Sequence, residues 1–356
     1  MKKWKQLHQL NGPVLPVAAF FVSIVLSALI MAACGYNPFE AYAAILTGAF
    51  GSLRGIVNTF VQATPLIFTG LAYTFAKKAS LINLGVEGQM YMGALGAALL
   101  GTLDLGLPTA LHLPLTILAA FAFGAAYGGI IGFLKVKFGS NEVVAGVMLN
   151  TIATCIVGYL LNGPMLAEGS GTAQSERVLA TAQLPRIFQQ YQLSIAIFIA
   201  IAACIFVHWF LSHTVLGYEI RCVGLNRKAS ETAGISIGRV MIIAMCVSGG
   251  IAGLAGANQV LGVDRRLLNN FSPGYGFNGI AVAALASDSP LGVILAGSIF
   301  GMLSTGASEL NRVTSVPVEF VDVIQAMVVI LVAAPLLIRD IFHISPEKRL
   351  RRKRRV

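Results

Sequence analysis

Uncharged apolar runs recur along this chain from one end to the other, and each stops at a Lys, an Arg, a Pro or a polar cluster. A helix rises ~1.5 Å per residue, so about twenty apolar residues match the ~30 Å hydrocarbon layer of a bilayer. Ten windows fit: 14–34, 57–76, 90–105, 111–134, 143–162, 193–211, 240–262, 277–286, 291–307 and 320–338. The third, eighth and ninth are short or Gly-rich. The pattern predicts an all-α integral membrane protein of about ten transmembrane helices. Segment 14–338 forms the membrane domain, 1–13 precedes it and 339–356 follows it.

The basic residues orient these windows, because loops on the cytoplasmic side retain Lys and Arg. With the N-terminus inside, nineteen fall inside: Lys2, Lys3, Lys5, Lys77, Lys78, Lys135, Lys137, Arg221, Arg227, Lys228, Arg239, Arg339 and seven within 348–355. Six fall outside: Arg54, Arg177, Arg186, Arg265, Arg266 and Arg312. Both termini are therefore expected in the cytoplasm. The basic tail then follows directly on a span and faces anionic lipid, so membrane lipid is the expected partner and nucleic acid is not. The first window ends Met31-Ala32-Ala33-Cys34-Gly35, a lipoprotein-like cleavage sequence. Its uncharged stretch exceeds the ~7–15 residues of a signal's apolar region, so the helix is expected to stay.

Composition agrees. Hydrophobic residues make up 56% and charged residues 11%, against roughly 25% charged in an ordinary soluble domain. Five scattered cysteines imply no disulfide or metal framework, and the five histidines show no metal-ligand spacing. No nucleophile elbow or dinucleotide fingerprint is present, and the dipeptide Gly-Lys of a phosphate-binding loop occurs nowhere. No enzyme activity, metal or cofactor is expected, and any ATP-driven step needs a separate chain. The string 247–251, Val-Ser-Gly-Gly-Ile, superficially resembles a transport ATPase signature but lies inside a window and reads as helix packing. The 38 glycines include small-xxx-small rows such as Gly93, Ala97, Gly101 and Gly124, Gly128, Gly132, which let helices approach closely.

Polar residues at membrane depth are costly unless they face a cavity or another helix. Segment 80–89 holds Asn83, Glu87 and Gln89 between glycines; it reads as a broken segment lining a cavity, or as a cytoplasmic turn with Glu87 solvated. Asn141 opens the fifth window and Asn150 sits within it, either bonding a neighbouring helix or lining a pathway. Segment 272–279 is a Gly-rich approach to the eighth window; Phe277 and Asn278 could stack on and hydrogen-bond a purine, or simply pack. Loop 212–239 has two helix-like halves around Gly224 and Asn226, with Asn226 able to cap the second and Gly234 to end it.

Together, the stretch Asn83 to Gln89, the pair Asn141-Glu142 leading to Met148-Leu149-Asn150, the loop Arg221…Gly224-x-Asn226…Ala233-Gly234-Ile235, and Ser248-Gly249…Gly253-Leu254-Ala255-Gly256 resemble the permease subunits of bacterial ABC importers for ribose, branched-chain amino acids and nucleosides. The likeness runs from about Phe39 to Leu337 and is strongest to the nucleoside branch. It implies a location in the bacterial cytoplasmic membrane, an ATPase subunit, a second permease in a heterodimer, and an extracellular substrate-binding lipoprotein. It also implies that Arg221, Gly224, Asn226, Ala229, Ala233 and Gly234 contact the ATPase. Asn83, Glu87, Gln89, Asn141 and Asn150 would line or structure the pathway. Windows two to five and seven to ten run in opposite senses, so an inverted repeat is expected. The alternatives are a permease for a sugar or branched-chain amino acid, and an ion-coupled transporter using Glu87, Glu319 or Asp322.

Overall fold

The computed structural model describes residues 14–333 apart from 315 and 318. The expected N-terminal segment 1–13, the tail 339–356 and the end of the tenth window lie outside these residues. Among those described, the chain folds into thirteen α-helices. They are α1 (Val14–Ala33), α2 (Pro38–Phe50), α3 (Leu53–Lys78), α4 (Val86–Thr102), α5 (Thr109–Phe138), α6 (Glu142–Leu161), α7 (Ala196–His213), α8 (Val215–Leu225), α9 (Arg227–Thr232), α10 (Ile237–Ala257), α11 (Tyr275–Leu285), α12 (Gly292–Val313) and α13 (Glu319–Ala333). A π-helical segment, Asn258–Val263, extends α10.

Among the described residues, six helices are long and apolar enough to cross a membrane: α3, α5, α6, α7, α10 with its π extension, and α12. The remaining windows hold α1 with 20 residues, α4 with 17, α11 and the described part of α13. The 11 residues of α11 rise only ~16 Å, about half a bilayer. Helix α2 falls where the pattern gave only a connection, because its 13 residues include Glu40 and fall short of a crossing window.

Helices α3 and α10 are the inner pair, with 72% of each apolar window buried against 22% for α6. Helices α4 and α5 pack on α10, α11 and α12 pack on α3, α6 packs on α4, and α13 packs on α11. Glycine sets the closest crossing. A Cβ on Gly124 or Gly249 would overlap the other residue's carbonyl oxygen, so the α5–α10 backbones touch directly and gain dispersion contact that lipid could not supply. The string 247–251 is part of this contact: Ser248 Oγ donates to Ala72 O of α3 at 2.7 Å.

The helix ends gather into two opposed faces. On one, Lys77 Nζ lies 3.6 Å from Asp288, Lys135 Nζ lies 2.7 Å from Glu142, and Arg227 Nη2 donates to Ser80 O at 3.0 Å. On the other, Arg266 Nη1 donates to Gln174 Oε1 at 3.0 Å and Arg186 Nη2 to Val263 O at 3.1 Å. We call these the loop face and the far face.

Candidate functional site

The chain breaks between α3 and α4, where Ser80 takes a left-handed φ of +56°, and the break carries its own hydrogen-bond set. Asn83 Nδ2 donates to Gln89 Oε1 at 2.9 Å and to Ser248 Oγ at 2.7 Å. Its Oδ1 accepts from Gly85 N and from Gln89 Nε2, both at 3.1 Å. Asn83 and Gln89 are fully buried. Asn150 of α6 bridges the same break: its Oδ1 accepts from Gly88 N at 2.8 Å and its Nδ2 donates to Leu84 O at 2.8 Å. The first N–H groups of a helix have no partner within it, and here a neighbouring helix satisfies one of them. Asn83 and Gln89 thus tie the break to α10 and Asn150 ties it to α6, two hydrogen-bond sets on one short segment that together make a knot.

Glu87 points the other way. Its Oε2 accepts from Gly276 N of α11 at 2.6 Å, while Ser272 Oγ accepts from Gly274 N and Tyr275 N at 3.2 and 3.1 Å. The N-termini of α4 and α11, the helices that follow the two Gly-rich breaks, therefore meet at one buried carboxyl group. Such ends carry partial positive charge. The junction is tied to α3 at two levels: Thr69 Oγ1 donates to Tyr275 O at 3.0 Å, and Tyr275 OH donates to Gln62 Oε1 at 2.6 Å.

Phe277 and Asn278 do not join this junction as a pair. Phe277 is 48% exposed on the outer side of α11 and Asn278 is half-buried. Asn141 is exposed and caps α6, its Oδ1 accepting from Val143 N at 2.9 Å.

Loop 212–239 folds as two helices. Thr214 caps α8 through Gly217 N at 3.0 Å and Asn226 caps α9 through Ala229 N at 3.2 Å. A Cβ on Gly224 would overlap the Lys78 carbonyl oxygen, so this residue seats α8 on the end of α3. Arg221, Asn226, Ala229, Ala233 and Gly234 are exposed, beside the apolar side chains of Val215, Tyr218 and Leu225, the last 88% exposed. Gly234 adopts φ +82° where α9 turns back toward α10.

On the far face, a cavity of about 570 Å³ opens between α2, α3 and α12 and contains Asn58, Gln62, Gln192, Thr305 and Ser308. The spacing of polar residues along the chain carries a sign of it. Arg54, Asn58 and Gln62 recur every four residues on one face of α3, as do Thr305, Ser308, Glu309 and Arg312 at three- and four-residue steps on α12. Nearby, burial raises the Asp264 carboxyl above its ordinary range, with the charge of Arg266 opposing. Burial and the neighbouring Arg186 and Arg177 lower the Arg265 guanidinium. Among the described residues, no group of three or more His, Cys, Asp or Glu could hold a metal ion.

Comparison with known proteins gives a consistent answer. Residues 55–333 match the family model described as branched-chain amino acid transport system / permease component. The chain is 34% identical over 336 residues to the guanosine ABC transporter permease protein NupP of Bacillus subtilis (strain 168), covering 94% of this chain and 96% of that protein. It is 33% identical over 333 residues to the nucleoside ABC transporter permease protein NupB of Lactococcus lactis subsp. cremoris, covering 91% of each. It is also 32% identical over 325 residues to the glucose ABC transporter permease protein TsgB13 of Haloferax volcanii, covering 88% and 85%.

Proposed function

This chain belongs to the permease-component family of branched-chain amino acid transport systems, and from that premise we propose that it carries a nucleoside inward across the cytoplasmic membrane. It is a multi-pass ABC importer permease and not itself an ATPase; an ATPase and a binding protein are its implied partners. The observation that carries the cargo assignment is full-length similarity to permeases named for guanosine and for nucleosides.

The helix junction supports a neutral cargo. Transporters often aim the N-termini of broken helices at an anionic group of the substrate. Here Glu87 takes that position against Gly276 N, which leaves no vacancy for the carboxylate of an amino acid. The glucose-named relative makes a sugar the second reading. An ion-coupled mechanism draws no support from the carboxyl groups: Glu87 is tied to a backbone N–H, and Glu319 and Asp322 are exposed at the start of α13.

The finer architecture is part of the same proposal. Ten crossings with both termini in the cytoplasm make the loop face cytoplasmic and the far face external. An inverted repeat of spans two to five and seven to ten is supported by mirrored packing: α5 on α10 as α12 on α3, α4 on α10 as α11 on α3, and α6 on α4 as α13 on α11. ATPase closure would push on Arg221, Gly224, Asn226, Ala229, Ala233 and Gly234. The knot of Asn83, Gln89 and Asn150 would hold the inner wall rigid while a second, non-identical permease completes the pathway opposite Phe277 and Asn278, and a lipoprotein delivers the cargo.

The test is uptake into proteoliposomes holding both permeases, the ATPase and the binding protein. ATP-dependent guanosine uptake that glucose does not compete is the expected result. Uptake of glucose but not of any nucleoside would replace the cargo assignment, and a C-terminal reporter found outside the cell would overturn the orientation.

A further inference from the structure

We propose that the far-face cavity between α3 and α12 is the vestibule that receives the cargo on its way to the helix junction, and that it recognises a neutral solute rich in hydrogen-bonding groups. The inference rests on the permease reading above and adds a binding site to it.

Two features of the cavity support this. Its volume of about 570 Å³ lies within the ~300–1,000 Å³ usual for small-molecule sites. Its polar lining is unusual in a chain where 56% of residues are hydrophobic: three amides, Asn58, Gln62 and Gln192, and two hydroxyls, Thr305 and Ser308. An amide offers both donors and acceptors, which suits a base edge, and hydroxyls suit those of a sugar. Of the two hydroxyl residues, Ser308 is exposed to this space, whereas Thr305 Oγ1 is buried away from it.

The charges at the rim cancel except for one. Glu309 pairs with Arg312, Arg312 Nε donating to Glu309 Oε2 at 3.0 Å, so only Arg54 remains without an opposite charge there. The lining residues include no aromatic side chain. A base would find hydrogen bonds but no stacking, and binding would be weak. Weak binding suits transit, because a solute must leave the site as readily as it enters.

The floor also points inward. Gln62, within the lining, accepts the Tyr275 hydroxyl at 2.6 Å, and the next residue, Gly276, is the one that Glu87 holds. The vestibule therefore ends against the meeting point of α4 and α11. Below it, a Cβ on Gly301 would lie 2.6 Å from Thr59 O and 2.7 Å from Ala63 N, so α12 and α3 close the floor by direct backbone contact.

The experiment uses the assembled complex with the exposed Cys34 and Cys155 replaced by Ser, and Ser308→Cys introduced. Proteoliposomes are treated with a membrane-impermeant thiol reagent in the absence of the binding protein, with guanosine, uridine or glucose present, and uptake is measured after the binding protein is added. Modification is expected to abolish most uptake. The transported solute at ten times its site dissociation constant should slow modification about tenfold, while non-transported solutes should not. Leu105→Cys, exposed at the same end, should react without loss of uptake. Full modification with normal uptake, or reaction unaffected by the transported solute, overturns the vestibule. Protection by glucose in a complex that takes up glucose alone upholds the vestibule and overturns the nucleoside assignment. Asn58→Cys, read in the same way, decides the matter if Ser308→Cys does not assemble.

Discussion

Replacing Asn83 by Leu tests whether the buried knot is structural. The change keeps the approximate volume and removes four hydrogen bonds, two from Nδ2 and two to Oδ1. Three groups are then stranded: Gln89 Oε1, Gln89 Nε2 and Gly85 N, while Ser248 keeps Ala72 O. A stranded buried group costs ~1–3 kcal/mol in soluble proteins, whereas a hydrogen bond between membrane helices averages only ~0.6 kcal/mol. The four lost bonds set a floor near ~2.4 kcal/mol and the three stranded groups a ceiling near ~9; with helix relaxation we expect about 3 kcal/mol. Gln89→Leu should cost only about 1 kcal/mol, because it removes two hydrogen bonds while Asn83 keeps Ser248 Oγ and Gly85 N as partners. The double variant removes both partners and strands only Gly85 N, so it should cost about 2.5 kcal/mol rather than the ~4 of the two singles, a coupling of ~1.5 kcal/mol. Unfolding of the detergent-solubilised permease in a double-mutant cycle measures this. Strict additivity would refute the knot, and a shifted KM for cargo at unchanged stability would mean that Asn83 touches the solute.

Three further outcomes follow from other parts of the fold. Gly224→Leu should force α8 off the Lys78 carbonyl at an overpacking cost of ~1–3 kcal/mol, so uptake should fall at least fivefold while membrane insertion, read by protease protection, is unchanged. Gly249→Leu drives a side chain into the Gly124 backbone and should abolish assembly, seen as loss of a monodisperse peak in size-exclusion chromatography. Burial raises the Asp264 carboxyl, so its contribution to stability is fully present below the ordinary carboxyl value near ~3.9 and is lost as pH rises through the raised value. The native chain should therefore lose more Tm than Asp264→Asn as pH rises from about 4, and parallel Tm curves would disprove it.

The helices were legible to the extent that length and composition encode them. α5 and α10 stand close to their windows because thirty- and twenty-one-residue apolar helices have one reading. α2 was lost because a 13-residue helix with Glu40 in its first turn resembles a connection. Asn226 and Gly234 marked α9, since capping is local chemistry. The knot was half legible: Asn83 and Gln89 stood out as a cluster, but Ser248 lies 165 positions away, and nothing local announces that pairing. The vestibule was missed for the same reason. Its amides come from α3 and from the segment before α7 and its hydroxyls from α12; the spacing of Asn58 and Gln62 marks a polar face on α3, but nothing local shows which helix that face meets.

The distribution of hydrogen bonds also indicates where this bundle can move. Side-chain bonds tie α3 to α10 through Ser248, α3 to α11 through Thr69 and Gln62, α4 to α11 through Glu87 and α4 to α6 through Asn150. Among the described residues, none crosses from α3 to α12, whose seam is Gly297 on Ile67 and Gly301 on Ala63. Separating such a seam loses dispersion contacts but strands no polar group. Alternating access should therefore work by α12 moving against a bonded unit of α3, α4, α6, α10 and α11. A short bifunctional thiol cross-link between Val61→Cys and Thr305→Cys, which face the same cavity, should stop uptake while leaving ATP binding to the partner ATPase intact. Uptake at the full rate with that seam locked would show that the movement lies elsewhere.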